Sequence, residues 1–216
     1  DAIIHVLRCF DDSGIVHVDG SVDPVGDRDI IDMELQLKDL ETLENRAKRV
    51  EKAARVGGDK AAKIEMDVID TYRKVLLEGK SARTVTFDTE DEMAAAKSLF
   101  LLTAKPVLYV CNVDDKSAST GNEHTARVAE AIKDEDAEML IISAQTEADI
   151  AELETYEEKQ MFLEDMGLQE SGCNRLIKAI YSLLTLQTFI TAGEMEVKAW
   201  TFRKGWKAPQ CAGVIH

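Results

Sequence analysis

The apolar positions of this chain fall into two patterns, short unbroken runs and long runs that repeat about every 3.5 residues. Ile3, Ile4, Val6 and Leu7 are nearly continuous within residues 1 to 10, Val107 to Val110 form a second run, and Met139 to Ile142 a third. Runs apolar on both faces and rich in β-branched residues predict buried strands of a parallel sheet. The second run closes abruptly in Asn112-Val113-Asp114-Asp115 and the third in Ser143-Ala144, with a helical segment around Ala126 to Lys133 between them. That is a βαβ unit whose two polar strand tips lie side by side, where open α/β sheets bind their ligands.

The second pattern predicts an αα-hairpin. Met33, Leu37, Leu40, Leu43, Ala47, Val50 and Ala54 step by threes and fours at a coiled-coil repeat. Gly57-Gly58-Asp59 interrupts the series, and Ala61, Ile64, Val68, Tyr72 and Val75 resume it. The loop from Asp11 to Asp29 before it is rich in Asp and Gly, with Asp23-Pro24 as a breaker. After the hairpin come a short extended piece, Thr84 to Phe87, and a helix from about Thr89 to Leu102 that returns to the sheet. Residues 149 to 165 are acidic and partly helical, and Ser171-Gly172 opens a helix whose Leu176, Ile177, Ile180, Leu183 and Leu184 share one apolar face. From Leu186 onward, Thr, Phe, Val and Trp with turn points at Gly193 and Gly205 predict short antiparallel strands.

Charge narrows the range of partners. A formal charge of −15 works against attraction to nucleic acid by the molecule as a whole. Residues 28 to 80, however, carry twelve Lys or Arg and twelve Asp or Glu, so a local basic face fits there. Arg46, Lys48, Arg49, Lys52 and Arg55, with Lys60 and Lys63 beyond the turn, would form a basic tip for RNA; they also suit a helix C-terminus, or simply keep a long helix pair solvated. Cys9, Cys111, Cys173 and Cys211 are too scattered for a zinc site or redox dithiol, and read as reduced, mostly buried thiols. No apolar run suits a bilayer crossing and no signal peptide opens the chain, so a cytoplasmic protein is expected, without DNA specificity.

Chemistry is expected at the strand tips. The Asn112 amide can both donate to and accept from a purine edge, although Asn-x-x-Asp is short enough to be a strand-ending Asx turn. Ser143 reads equally as a helix N-cap and as part of the pocket, and the two roles are compatible. His17, in a polar loop, reads by itself as a surface residue. Gly79-Lys80-Ser81 imitates a phosphate loop, but Lys74 stands where that loop needs glycine, and no Gly-x-x-x-x-Gly-Lys-[Ser/Thr] pattern occurs. The chain therefore reads as a fragment whose phosphate cradle lies upstream.

Blocks spanning nearly the whole chain, in order, resemble the Obg-like ATPase (YchF) family. They include residues 1 to 10, Ile15-Val16-His17-Val18, Val22-Asp23-Pro24 and Lys105 to Val110. Further along they include Glu147 to Leu153, Leu186 to Gly193, Ala208-Pro209-Gln210 and Ala212 to His216. The resemblance implies an α/β fold: a partial P-loop NTPase with a mostly parallel sheet, an inserted antiparallel helical hairpin, and the start of a C-terminal β-grasp (TGS) domain. The expected division is residues 1–29 and 88–185 for the nucleotide-binding domain, 30–87 for the hairpin and 186–216 for the truncated TGS domain. It also implies ATP, with Mg2+ held by residues outside the chain, and hydrolysis coupled to the ribosome or translation machinery. Asn112 would bond the purine edge, Val113 would pack on the ring, Asp115 would sit at the last position of the base motif, and backbone N–H groups at Ser143 and Ala144 would complete the pocket. GTPases carry Asn-Lys-x-Asp and this family typically Asn-x-x-Glu; Val113 departs from the first and Asp115 from the second, so ATP is favoured with GTP left open. His17 matches the loop histidine proposed to orient the attacking water. Two alternatives stand beside this: a non-catalytic ribosome- or RNA-binding scaffold, and a GTPase. The fragment alone is expected to be inactive.

Overall fold

The computed structural model describes residues 1–12, 21–56 and 59–215. In chain order the regular elements are β1 (Ile3–Arg8), α1 (Pro24–Val56), α2 (Lys60–Leu77), α3 (Glu90–Ser98), β2 (Val107–Asn112), α4 (Glu123–Ile132), β3 (Glu138–Ile142), α5 (Ala144–Glu152), α6 (Tyr156–Asp165), α7 (Gly172–Leu183), β4 (Leu186–Ala192), β5 (Val197–Arg203) and α8 (Ala208–Ala212). Short 3-10 turns occupy Ala82–Thr84 and Asp115–Ser117. Two compact units result, one of residues 1–22 with 107–216, the other of residues 23–106.

In the first unit a three-stranded parallel sheet has the order β1-β2-β3. The central strand β2 is buried through its first five residues, which is why its sequence shows no alternation. Leu108 and Val110 pack with Ile142 and, across to α7, with Leu176, Ala179 and Ile180. Tyr109, on the opposite face by alternation, is wholly buried and donates its hydroxyl to Glu135 just after α4 at 3.0 Å. Cys9 and Cys111 are buried, and contact with Cys111 pushes the Cys9 thiol upward; Cys173, by contrast, is exposed, against the expectation of mostly buried thiols. The helices start where side chains can satisfy first-turn amides: Asn122 caps α4, Ser143 α5, Thr155 α6 and Ser171 α7. β4 and β5 form a separate antiparallel hairpin, with Gly193 donating to the Glu196 carbonyl in its turn and Gly205 at φ +89° just beyond it.

The second unit is more than a two-helix arm. α1 starts at Pro24, so Asp23-Pro24 opens the helix instead of breaking the chain: proline's fixed φ and missing N–H suit a first helical position. α1 has 33 residues and α2 has 18, or about 50 and 27 Å, so α1 overhangs its partner. The overhang explains why Met33, expected in the seam, is 60% exposed; Leu37, also expected there and also 60% exposed, lies off the seam beside the end of the overlap. Gln36 donates to the Gly79 carbonyl at 3.2 Å, marking where the overlap ends. Gly79, at φ +74°, is the stop of α2, its N–H on the Leu76 carbonyl. α3 is shorter than expected and joins this unit rather than the sheet. Leu99 and Leu101 pack with Leu43, Val68, Ile69, Tyr72 and Leu76, after the chain turns sharply at Phe100, φ +52°. A charged residue, Asp39, lies at 1% exposure beside this core and accepts from Leu102 N, Thr103 N and Thr103 Oγ1, each at 2.7 Å. Among the described residues, no helix is long and apolar enough to cross a membrane.

Candidate functional site

The tips of β2 and β3 are held side by side by the ladder itself. Asn112 is in register with Ile142, and Val113 N donates to the Ile142 carbonyl at 3.0 Å, carrying the pairing one residue further. Ser143 then caps α5: its Oγ accepts from Thr146 N at 3.2 Å, and its carbonyl accepts from Glu147 N. Asn112 reaches across so that its Oδ1 accepts from Ala144 N at 3.0 Å. Among the first-turn amides of α5, Ala144 and Thr146 are thus satisfied by side chains, and that of Gln145 has no hydrogen-bond partner among the described residues.

Asp115 completes the network. Its Oδ1 receives the Ser143 hydroxyl at 2.6 Å and the Thr146 hydroxyl at 2.9 Å. These bonds, that from Ser143 first and that from Thr146 second, hold its carboxyl below the ordinary value, so it is ionised at neutral pH. The positive end of α5 favours the same charge. Ser143 and Thr146 are 2% and 1% exposed, so the hydroxyls that orient this carboxylate are fixed by packing.

Among the described residues, the Asn112 Nδ2 amide, the Asp115 Oδ2 oxygen and the Gln145 backbone N–H have no hydrogen-bond partner. They are two sets of donors and one anionic acceptor at the carboxyl end of a parallel sheet, where open α/β sheets take their ligands. The structure therefore brings together Asn112, Asp115, Ser143 and Ala144, four of the five base-pocket residues expected from sequence. The details differ at two of them. Val113 is 3% exposed and leaves no surface for a ring, because it lies inside the core where the β2–β3 ladder continues. The Ala144 N–H is consumed by Asn112, which moves the free backbone donor to Gln145. Sequence reasoning missed Thr146, whose signal was its place three residues after a Ser N-cap. It also missed Asn122, whose Nδ2 donates to the Cys9 carbonyl at 2.7 Å and ties the start of α4 to the end of β1.

His17 lies outside the described residues. No group of three or more His, Cys, Asp or Glu among the described residues could hold a metal ion. In the helical unit, Arg46 is committed to an ion pair with Glu65 across the two helices, whereas Lys48, Arg49, Lys52, Lys60 and Lys63 are exposed.

Comparison with known proteins extends this picture. Residues 186–216 match a family model named YchF-GTPase C and described as a protein of unknown function (DUF933). The whole chain is 51% identical to a Bacillus subtilis protein named ribosome-binding ATPase YchF, of which it covers 59%, and 45% identical to the Haemophilus influenzae protein of the same name, covering 58%. It is 39% identical to a Gallus gallus protein named Obg-like ATPase 1 and covers 55% of it. Among solved structures, that of the Schizosaccharomyces pombe YchF GTPase matches all of this chain at a TM-score of 0.85 and 34% identity, 58% of that protein being covered. The chain thus spans somewhat more than half the length of these relatives.

Proposed function

Because the chain belongs to the Obg-like ATPase (YchF) family, we propose that the full-length protein is a cytoplasmic P-loop NTPase that binds and hydrolyses ATP and acts on the ribosome. The observation that carries the base-binding half of this reading is the Asn112 side chain. With its Oδ1 occupied by Ala144 N, its Nδ2 is oriented to donate to the ring nitrogen N7 that every purine offers as an acceptor. Asp115 Oδ2 and the Gln145 N–H supply the remaining contacts, and ATP is preferred over GTP. No glycine-rich lysine loop occurs in these 216 residues, and in this reading the phosphate cradle and the Mg2+ ligands are supplied by other residues of the full-length protein. Mg2+ would supply charge neutralisation on the phosphates when bound.

His17 orients the attacking water, a role that needs position more than acidity in phosphoryl transfer. Residues 186–216 open a TGS domain of the β-grasp type, and the exposed lysines and arginine near the α1–α2 turn contact ribosomal RNA. The relatives' printed name, ribosome-binding ATPase, supports the partner. Isothermal titration of full-length protein tests the reading: Asn112→Ala weakens ATP binding about tenfold, the loss of one directed hydrogen bond and of the group that seats it. In the same protein His17→Ala abolishes hydrolysis while leaving ATP affinity unchanged, and the 216-residue chain alone shows no turnover. Unaltered ATP affinity in Asn112→Ala removes the base site; unaltered hydrolysis in His17→Ala removes the catalytic role.

A further inference from the structure

Asp115 stands where guanine-specific proteins of the P-loop class use an aspartate, yet here its carboxylate is already half occupied. Both hydroxyl protons of its neighbours, Ser143 Oγ–H and Thr146 Oγ1–H, converge on the same oxygen, Oδ1. Ser143 cannot be reoriented freely, because its oxygen also caps Thr146 N at 3.2 Å. Thr146 is 1% exposed, and Asp115 is the acceptor its hydroxyl proton has found. The two bonds hold the carboxylate through Oδ1, and Oδ2 accepts no hydrogen bond from the described residues.

A carboxylate fork recognises guanine by taking two donors, the ring N1–H and the 2-amino group, one on each oxygen. Adenine offers a single donor, its 6-amino group, beside an acceptor. An oxygen that already holds two hydroxyl protons has both in-plane lone pairs engaged, which leaves one good acceptor. Resting on the nucleotide-site reading above, we infer that Thr146 is a specificity-determining residue: its hydroxyl withholds Asp115 Oδ1 from the base, so that the pocket accepts one donor and does not read a 2-amino group. Thr146 itself does not touch the base; it acts by positioning Asp115.

The test is calorimetric titration of full-length protein with ATP, GTP and inosine triphosphate, the last being guanine's analogue without the 2-amino group. In the wild type, GTP and inosine triphosphate bind within about threefold of each other, because the 2-amino group finds no acceptor; a hydrogen bond to a charged group that was made and then lost separates them by about tenfold or more. Thr146→Val leaves Ser143 as the one donor on Oδ1 and opens its second lone pair, so GTP then binds about tenfold tighter than inosine triphosphate and gains on ATP, while Thr146→Ser keeps the wild-type pattern. Thr146→Ala carries the same prediction should valine not fold. A wild-type protein that already binds GTP tenfold tighter than inosine triphosphate overturns the inference, as does a Thr146→Val protein with the wild-type ratio. Failure of the underlying site looks different: Asn112→Ala and Asp115→Ala then bind all three nucleotides as the wild type does.

Discussion

Replacing Asp39 with alanine removes the acceptor for three donors at once, and the structure allows the cost to be worked out donor by donor. Thr103 is 2% exposed, and its N–H would be left unpaired in the interior, at about 1–3 kcal/mol. The Thr103 hydroxyl would lose the acceptor that orients it while it receives Ala82 N at 3.1 Å, costing about 1 kcal/mol more. Leu102 is only half-buried, so the share of its N–H is smaller than that of Thr103. Taking a carboxylate out of the interior returns part of the loss, because its own desolvation is relieved. The net expectation is about 2 kcal/mol, a large fraction of a stability that is typically about 5–15 kcal/mol. Urea unfolding of the full chain followed by circular dichroism measures it. Asp39→Asn keeps one acceptor but turns amide protons toward the donors, and falls between wild type and alanine. An alanine variant within about 1 kcal/mol of wild type would refute the account of how α1 is joined to residues 102 and 103.

Two further outcomes follow from the sheet unit. A Cβ at Gly172 would lie 2.7 Å from Ile142 Cγ2 and 3.0 Å from Glu147 Oε1, the oxygen that accepts Gly172 N at 2.6 Å; Gly172→Ala therefore lowers stability by about 1–3 kcal/mol in a thermal melt, and an unchanged melt contradicts the packing at the start of α7. The lowered folded-state pKa of Asp115 means that its hydrogen bonds to Ser143 and Thr146 stabilise the fold fully above the unfolded carboxylate value of about 4, and that this contribution disappears as pH falls through the lower folded value. The stability gap between wild type and Asp115→Ala should accordingly be widest near pH 7 and narrow toward pH 2; a gap independent of pH would show that the carboxylate charge is not what the two hydroxyls hold.

The strand tips were legible in the sequence because a buried parallel strand writes an unbroken apolar run that must stop where the chain meets solvent. Asn112 and Ser143 mark those stops. What the tips do to one another was not legible, since the convergence of Ser143 and Thr146 on one oxygen of Asp115 depends on the turn after Val113 and on the first turn of α5 together. Val113 misled for a related reason: as the residue after a strand it reads as a lip of the pocket, yet the ladder continues through its N–H and keeps it inside. In the helical unit the heptad pattern locates the seam from Leu40 onward but also assigns Met33 to it, because periodicity carries no information about where a shorter partner helix ends; Leu37, assigned to it as well, is exposed. Asp39 interrupts the apolar pattern without a local signal of its role, since its three donors come from residues more than sixty positions away. Pro24 was misplaced because a proline after a polar run is both a loop breaker and a good first residue of a helix.

The central claim is that a purine sits across the ends of β2 and β3, and a crystal structure of the full-length protein with a non-hydrolysable ATP analogue tests it most directly. The account predicts the base N7 within about 3 Å of Asn112 Nδ2, with Oδ1 of the same side chain still on the Ala144 N–H and the base edge meeting Asp115 Oδ2. An adenine bound elsewhere, or an Asn112 amide rotated away from it to serve the protein alone, would contradict the assignment.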